Sequence, residues 1–447
     1  MSRIDLSRRE FLIAAAALPI LQQRAAATDP WDEARVILSR IKEPAFPNRD
    51  FDAKRYATLN AAIDACSAAG GGRVVVPSGE FPTGPVRLKS KVNLHLSEGA
   101  VLKFTTDPKA YLPVVFTRWE GTELMNYSPF IYAFDQQDIA ITGAGTLDGQ
   151  GDTTHWWDWT RNQGASRRRL VDFGANGTPV AQRVFGEGSF MRPNFIQPYR
   201  CRNVFIEGIT VKNSPMWEIH PVLCTNVIVR GVTVNSHGPN NDGCNPESCR
   251  DVLIERCSFD TGDDCIALKS GRNNDGRRVA APVENVIVRD CTMKDGHGGV
   301  TIGSEISGGA RNIFAERCKM DSPNLNIALR LKTNSVRGGV IEHVYMRDVT
   351  IGQVSQAVLG VDFLYEEGDA GQFPPVVRDI EMRNVTSQKS RNALSLRGYA
   401  HTPITNVRLR DCKFDNVAQA DILENVKDVA LTNVSVNGMI RNETITR

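Results

Sequence analysis

Apolar residues recur along this chain in short bursts of three or four, most of them opened by Asn or Asp. The pattern is densest from about residue 200. Asn203-Val204-Phe205-Ile206-Glu207-Gly208-Ile209-Thr210-Val211 is followed by Asn226-Val227-Ile228-Val229-Arg230-Gly231-Val232-Thr233-Val234. Copies return at Asp251-Val252-Leu253-Ile254, Asn285-Val286-Ile287-Val288 and Asn312-Ile313-Phe314-Ala315, with looser ones at His343, Asp379, Asn406 and Asp428. Spacing of about 22 to 36 residues lies within the solenoid range. The bursts are too short for helices and tend to alternate core-facing and outward positions, which predicts strands. The leading Asn or Asp suits a turn held by its own side chain, and such residues can stack as a ladder on successive coils.

These features predict an all-β fold, a right-handed parallel β-helix forming one domain over residues 28–447. A β-propeller needs about four strands per 40–50 residues and recurring blade signatures, which do not recur here. Upstream of the repeat, Ala53 to Ala69 reads as an amphipathic helix with Leu59, Ala62, Ile63 and Cys66 on one face, stopped by Gly70-Gly71-Gly72 and capping the solenoid. Strands at Arg73–Val76, Val92–Leu96 and Ile139–Ile141 follow.

The first residues form a separate segment. Ser7-Arg8-Arg9-Glu10-Phe11 leads into an apolar run to Leu21 and then Ala25-Ala26-Ala27. This reads as an export signal over residues 1–27, the paired arginines pointing to the twin-arginine route. The mature protein is then expected in the periplasm or outside the cell, a monomer with no membrane attachment. Lys and Arg number 53 against 51 Asp and Glu, so nothing in the charge balance suggests a nucleic-acid partner. Of ten cysteines, Cys257, Cys291, Cys318 and Cys412 follow repeat strands at one offset and read as small core residues. Cys244 and Cys249 share a loop and are the better disulfide candidates. There is no CxxC, HExxH or histidine cluster, and no metal or other cofactor is expected.

One stretch is denser in polar groups than a solenoid requires. Asn240-Asn241-Asp242 is followed a coil later by Gly262-Asp263-Asp264, then by Gly296-His297-Gly298, then by Arg330-Leu331-Lys332. Residues one coil apart stack at about 4.8 Å, so all four motifs can line one groove. Adjacent Asp263 and Asp264 share that groove only if the strand ends or bulges there, which Gly262 permits. Three neighbouring carboxylates repel one another, so one should hold its proton near neutral pH, as glycosidic hydrolysis requires. Trp156, Trp157 and Trp159 form either a sugar-stacking platform or loop packing.

These four motifs, in this order, resemble those of glycoside hydrolase family 28, the polygalacturonases. The likeness extends upstream through Trp119-Glu120-Gly121 and Gly145-Thr146-Leu147-Asp148-Gly149. It implies that Asp263 is the general acid, that Asp242 and Asp264 position and deprotonate water, and that His297 maintains the acid. It further implies that Arg330 and Lys332 hold a galacturonate carboxylate, with Tyr365 and Asn240 as further substrate contacts. Asn241 stands where many members have Thr, and Leu331 where many have Ile. The implied reaction is inverting hydrolysis of α-1,4-galacturonan, as pectic polysaccharide or oligogalacturonide, with acid and base about 6.5–9.5 Å apart. Segments 151–191 and 366–373 are placed to wall off one end of the groove, which would make cleavage exo-acting. Rhamnogalacturonan or xylogalacturonan hydrolysis, a calcium-dependent pectate lyase and a non-catalytic carbohydrate-binding β-helix are the alternatives.

Overall fold

Each repeat burst forms a strand that pairs in parallel with the equivalent strand of the coil before it. A computed structural model describes residues 29–447; the export-signal reading falls outside them. Arg202–Glu207, Thr225–Arg230, Arg250–Glu255, Val283–Arg289 and Ala310–Glu316 stack in this way, with Ile206, Val229, Ile254, Val288 and Ala315 in one column. The column continues through Met346, Met382, Leu409 and Leu431. Every member is buried. Each such aliphatic side chain contributes about 1.5–3 kcal/mol on leaving water, and the stacked columns supply the core. Short strands such as Thr210–Lys212, Thr233–Ser236 and Ser258–Thr261 form a second face. A third runs from Ile131 and Ile196 through Ile219, Cys244 and Ile266 to Val300, Leu329, Leu359 and Leu394. Coil upon coil of parallel pairing is a β-helix, not a propeller.

The leading Asn/Asp positions do form a ladder. Asp138, Asn203, Asn226, Asp251, Asn285 and Asn312 all take φ between 55° and 58°, the left-handed region that Asn and Asp tolerate best among residues with a side chain. Asn203 Nδ2 donates to Asp138 Oδ1 at 2.7 Å, Asn226 Nδ2 to Asn203 Oδ1 at 2.8 Å and Asn312 Nδ2 to Asn285 Oδ1 at 2.9 Å. The side chain that permits the turn therefore also ties it to its neighbour.

Two expectations need correction. The capping helix begins at Leu59, not Ala53, because the Thr58 hydroxyl accepts the Ala61 amide and sets the start; Ala53–Arg55 is a separate short turn capped by Asp52. Its buried face is as expected: Leu59, Ala62, Ile63 and Cys66. Cys244 and Cys249 are not bonded to each other. All ten cysteines are free and buried. Cys244 stacks between Ile219 and Ile266, and Cys249 donates to the Pro221 carbonyl at 3.2 Å. Both are rungs of the core, like Cys257, Cys291, Cys318 and Cys412.

The pattern did not predict a first helix, α1 (Pro30–Arg40), capped by Asp29 with Pro30 in its first turn. The helix over Leu59–Ala68 is α2. Trp31, Ala34 and Ile37 of α1 cover Phe205, Ile228, Leu253, Ile287 and Phe314, the outward residues of successive strands. Among the described residues, no helix is long and apolar enough to cross a membrane.

Candidate functional site

The four motifs lie on four successive rungs of one face, three leading into their rung and Arg330-Leu331-Lys332 ending its strand. Gly243 N donates to the Asp264 carbonyl at 3.0 Å, Cys244 bridges Ile266, Ile266 pairs with Val300 and Val300 with Leu329. The strand Ser258–Thr261 stops and the next begins at Ile266, so 262–265 is the turn between them. That break lets Asp263 and Asp264 share a cleft despite being adjacent. Gly262 sits where the coils touch: a Cβ there would run into the carbonyl oxygen of Gly238. Gly298 is needed for a second reason, since a Cβ would collide with the Thr301 hydroxyl that binds Asp264.

One pocket is lined by Asn240, Asp242, Asp263, Asp264, His297, Arg330, Lys332 and Tyr365, all eight residues singled out in the sequence. The three aspartates each bring an oxygen within 4.8 Å of the other two. They come together because the turn at 262–265 presses directly on the 238–242 loop, Asp263 N donating to the Asn241 carbonyl at 3.3 Å.

Their surroundings differ. Asp264 is fully buried; its Oδ2 accepts from Lys332 Nζ at 2.8 Å and its Oδ1 from Thr301 Oγ1 at 2.9 Å. Burial would raise its pKa, but the Lys332 ammonium, with Arg330 and Lys269, holds it down at about 2. Asp242 is as deeply placed, accepting from Asn245 Nδ2 at 2.8 Å, with Lys269 Nζ 3.5 Å away. Burial first, and then the Asp263 charge, push its carboxyl well above the usual carboxylate range. Asp263 is more open and accepts from His297 Nδ1 at 2.9 Å and from the Asp264 amide at 2.9 Å. That hydrogen bond, with the charge behind it, raises the His297 pKa. One carboxyl tends to hold a proton while a neighbour stays charged, an arrangement suited to acid–base chemistry.

Arg330 Nη1 reaches Asp264 Oδ1 and the His297 carbonyl, both at 3.4 Å, and its guanidinium lies 5.9 Å from the Tyr365 ring centre. Asn240 Oδ1 accepts from Arg192 Nη2 at 2.7 Å, which fixes the side chain and keeps its amide nitrogen for another partner. The tryptophans do not line the pocket. Trp156 is buried against Tyr111, Phe130 and Trp159, and Trp157 donates to the Ser214 carbonyl at 2.8 Å, so they pack a loop.

Sequence reasoning missed the residues beneath and around the carboxylates: Trp217, Lys269, Glu305, Arg167 and Glu366, and it gave Glu120 no role. A signal existed for Lys269 and Glu305. Lys269 directly follows the apolar strand Ile266–Leu268, and Glu305 comes just after the strand Gly296–Ile302 of the same face, beyond Gly303 and Ser304. Arg167 lies on α3 (Gly164–Ala175), inside the 151–191 segment, and Glu366 opens the 366–373 insertion. Arg167 donates to Glu120 Oε2 at 2.9 Å and pairs with Glu366 at 3.7 Å, while Arg272 meets Glu366 at 3.3 Å. The two segments therefore meet at the pocket.

The chain is similar to known proteins over most of its length. A crystal structure of a hyperthermoactive exopolygalacturonase from Thermotoga maritima superposes with a TM-score of 0.90 at 40% identity, covering 93% of this chain and 98% of that one. A probable polygalacturonase of Vitis vinifera is 28% identical over 380 residues, 82% of this chain and 72% of that protein. The polygalacturonase of Erwinia carotovora shares the fold at 24% identity, with a TM-score of 0.68 over 86% of this chain and 98% of its own. Residues 183–436, which carry the carboxylates, the histidine and both cations, match the model of the glycosyl hydrolases family 28. With its β-helix, its clustered carboxylates and that match over more than half its length, the chain belongs to glycosyl hydrolase family 28.

Proposed function

We propose that this enzyme hydrolyses the α-1,4-galacturonosidic bonds of polygalacturonate from a chain end. The observation that carries the reading is three carboxyls gathered with two fixed cations in one pocket. A site that discriminates an acidic sugar needs cations set in a partly dry wall, and Arg330 and Lys332 have that setting. In this scheme Asp263, reachable from the pocket, protonates the leaving oxygen, and His297 orients it. Asp242 and Asp264 hold and deprotonate the water, Asp264 staying ionised throughout. Arg330, with Nε and Nη2 uncommitted among the described residues, binds the sugar carboxylate with Lys332, while Tyr365 and Asn240 complete the subsite. Twin-arginine export and a monomeric state outside the cytoplasm are part of the same proposal.

Two readings are weighed against it. A calcium-dependent lyase needs carboxylates free to cage a cation, whereas Asp264 and Asp242 already face ammonium groups at 2.8 and 3.5 Å. Retention would need one carboxylate to attack the sugar itself; in this scheme Asp242 and Asp264 act on a water, so the anomer inverts.

Exo action is supported by the ion-paired junction of Arg167, Glu120, Arg272 and Glu366 at the pocket, where segments 151–191 and 366–373 meet. Chromatography of early products from polygalacturonate should show galacturonate monomer alone. A ladder of oligomers at low conversion would sink the exo reading. Proton NMR of the first product should show the β-anomer; initial α-anomer would instead establish retention.

A further inference from the structure

Beneath the three aspartates lies a buried charge pair that the proposed chemistry does not use. Lys269 follows the strand Ile266–Leu268, and Glu305 follows the strand Gly296–Ile302 on the next coil. Lys269 Nζ lies 3.0 Å from Glu305 Oε2, 3.5 Å from Asp242 Oδ2 and 4.3 Å from the Trp217 ring centre. Lys269 and Asp242 are each 3% exposed and Glu305 is 6% exposed, so solvent screens none of these contacts well.

A lone ammonium touching a catalytic carboxyl would be expected to keep that carboxyl ionised. Here it lies nearer a second carboxylate. We propose that Lys269 is a positioning residue for Asp242, and that Glu305, by sharing its ammonium, sets how much positive charge Asp242 feels. The other groups facing Asp242 are Asp263, Asp264, Glu218 and the more distant Lys332, with Asn245 donating to the same Oδ2 that faces Lys269. Those facing Glu305 besides Lys269 are Arg272 at 3.8 Å, then Arg337 and Lys332, with Glu120 and Tyr365 also within reach of its charge. Asp242 thus has three acids around it and one nearby cation, itself half engaged elsewhere. This agrees with its carboxyl being pushed up rather than down.

The inference rests on the reading of Asp242 as a carboxylate that must be ionised for turnover. Under that reading the acidic limb of kcat/KM follows Asp242. In Glu305→Gln the Lys269 charge is no longer offset, ionised Asp242 is favoured, and the limb should move to lower pH by about one unit. In Lys269→Met the cation is gone and the limb should move to higher pH by a similar amount, while Lys269→Arg should restore it. The fold should survive Glu305→Gln, because Arg272 keeps Glu120 and Glu366, each at 3.3 Å.

Opposite movements of the limb support the proposal. A limb that stays put in Glu305→Gln, or moves the same way in both variants, overturns it. Should Lys269→Met not fold, Glu305→Gln decides alone: a shift to lower pH supports the idea, and no shift or a rise defeats it. Asp242→Asn separates the two layers. If that variant turns over normally, the assignment of Asp242 itself is wrong; if it is dead while Glu305→Gln leaves the limb unmoved, only the present inference fails.

Discussion

Asp263→Asn should lower kcat on polygalacturonate by about 10²–10⁴-fold, the usual weight of a positioned proton donor, while leaving the fold intact. The amide is nearly isosteric, and its carbonyl oxygen can still accept from His297 Nδ1 and the Asp264 amide, which the carboxylate accepts at 2.9 Å each. What it lacks is an acidic proton for the leaving oxygen. The effect should therefore appear in kcat far more than in KM, with thermal unfolding close to wild type. Reducing-end release measures it. Turnover equal to wild type would show that Asp263 is not the acid. A parallel assay in chelator, watched for an ultraviolet-absorbing unsaturated product, tests hydrolysis against elimination: undiminished cleavage without that product excludes the calcium lyase.

Lys332→Met carries the second large effect, on stability as well as binding. The side chain is 6% exposed and its ammonium sits 2.8 Å from the fully buried Asp264. Removing one partner of a buried pair leaves an uncompensated charge, at a cost of about 3–5 kcal/mol. Arg330 and Lys269 soften this without replacing it. The pH dependence follows from the sign of the Asp264 shift. Its folded pKa is held down at about 2, so its stabilising contribution is present above the unfolded value of about 3.9 and is lost as pH falls through 2. In the variant that pKa rises. The stability deficit should therefore be largest at neutral pH and shrink as acid protonates Asp264, which urea unfolding at neutral and acidic pH can follow. A deficit independent of pH would mean that lost packing, not charge, is responsible. KM for polygalacturonate should rise as well, since the variant removes one of two proposed sugar-carboxylate contacts.

The catalytic face was legible in the sequence because a solenoid converts spacing into position. Asp242, Asp263, His297 and Arg330 are separated by one coil each, and stacking at a fixed rise does the rest. The same logic exposed the Asn ladder, where a side chain's local turn preference and its long-range partner coincide. Lys269 and Glu305 escaped notice because their meaning depends on which way a strand end points after a turn, and no periodicity encodes that. Cys244 and Cys249 misled for a related reason. Proximity in sequence within a loop suggested a bond, yet each side chain turns inward to a different rung. The apolar bursts held a clue to α1 that alternation alone obscured. In Asn-Val-Phe-Ile and Asn-Val-Ile-Val three successive residues are apolar, so the middle one must face outward and requires a cover. Phe205 and Ile228 are such residues, and Trp31 and its helix neighbours are the cover.

That cover has a consequence for the order of assembly. Trp31 packs edge-on against Phe314 at 5.3 Å between ring centres and beneath the Arg347 guanidinium at 3.8 Å. This helix, N-terminal to every coil, thus closes on a surface not complete until most coils exist. Local coil-on-coil contacts can form progressively, but this one spans most of the chain and must come late, as contacts of long sequence separation do. Until then an apolar seam along the solenoid stays open to water and to other chains.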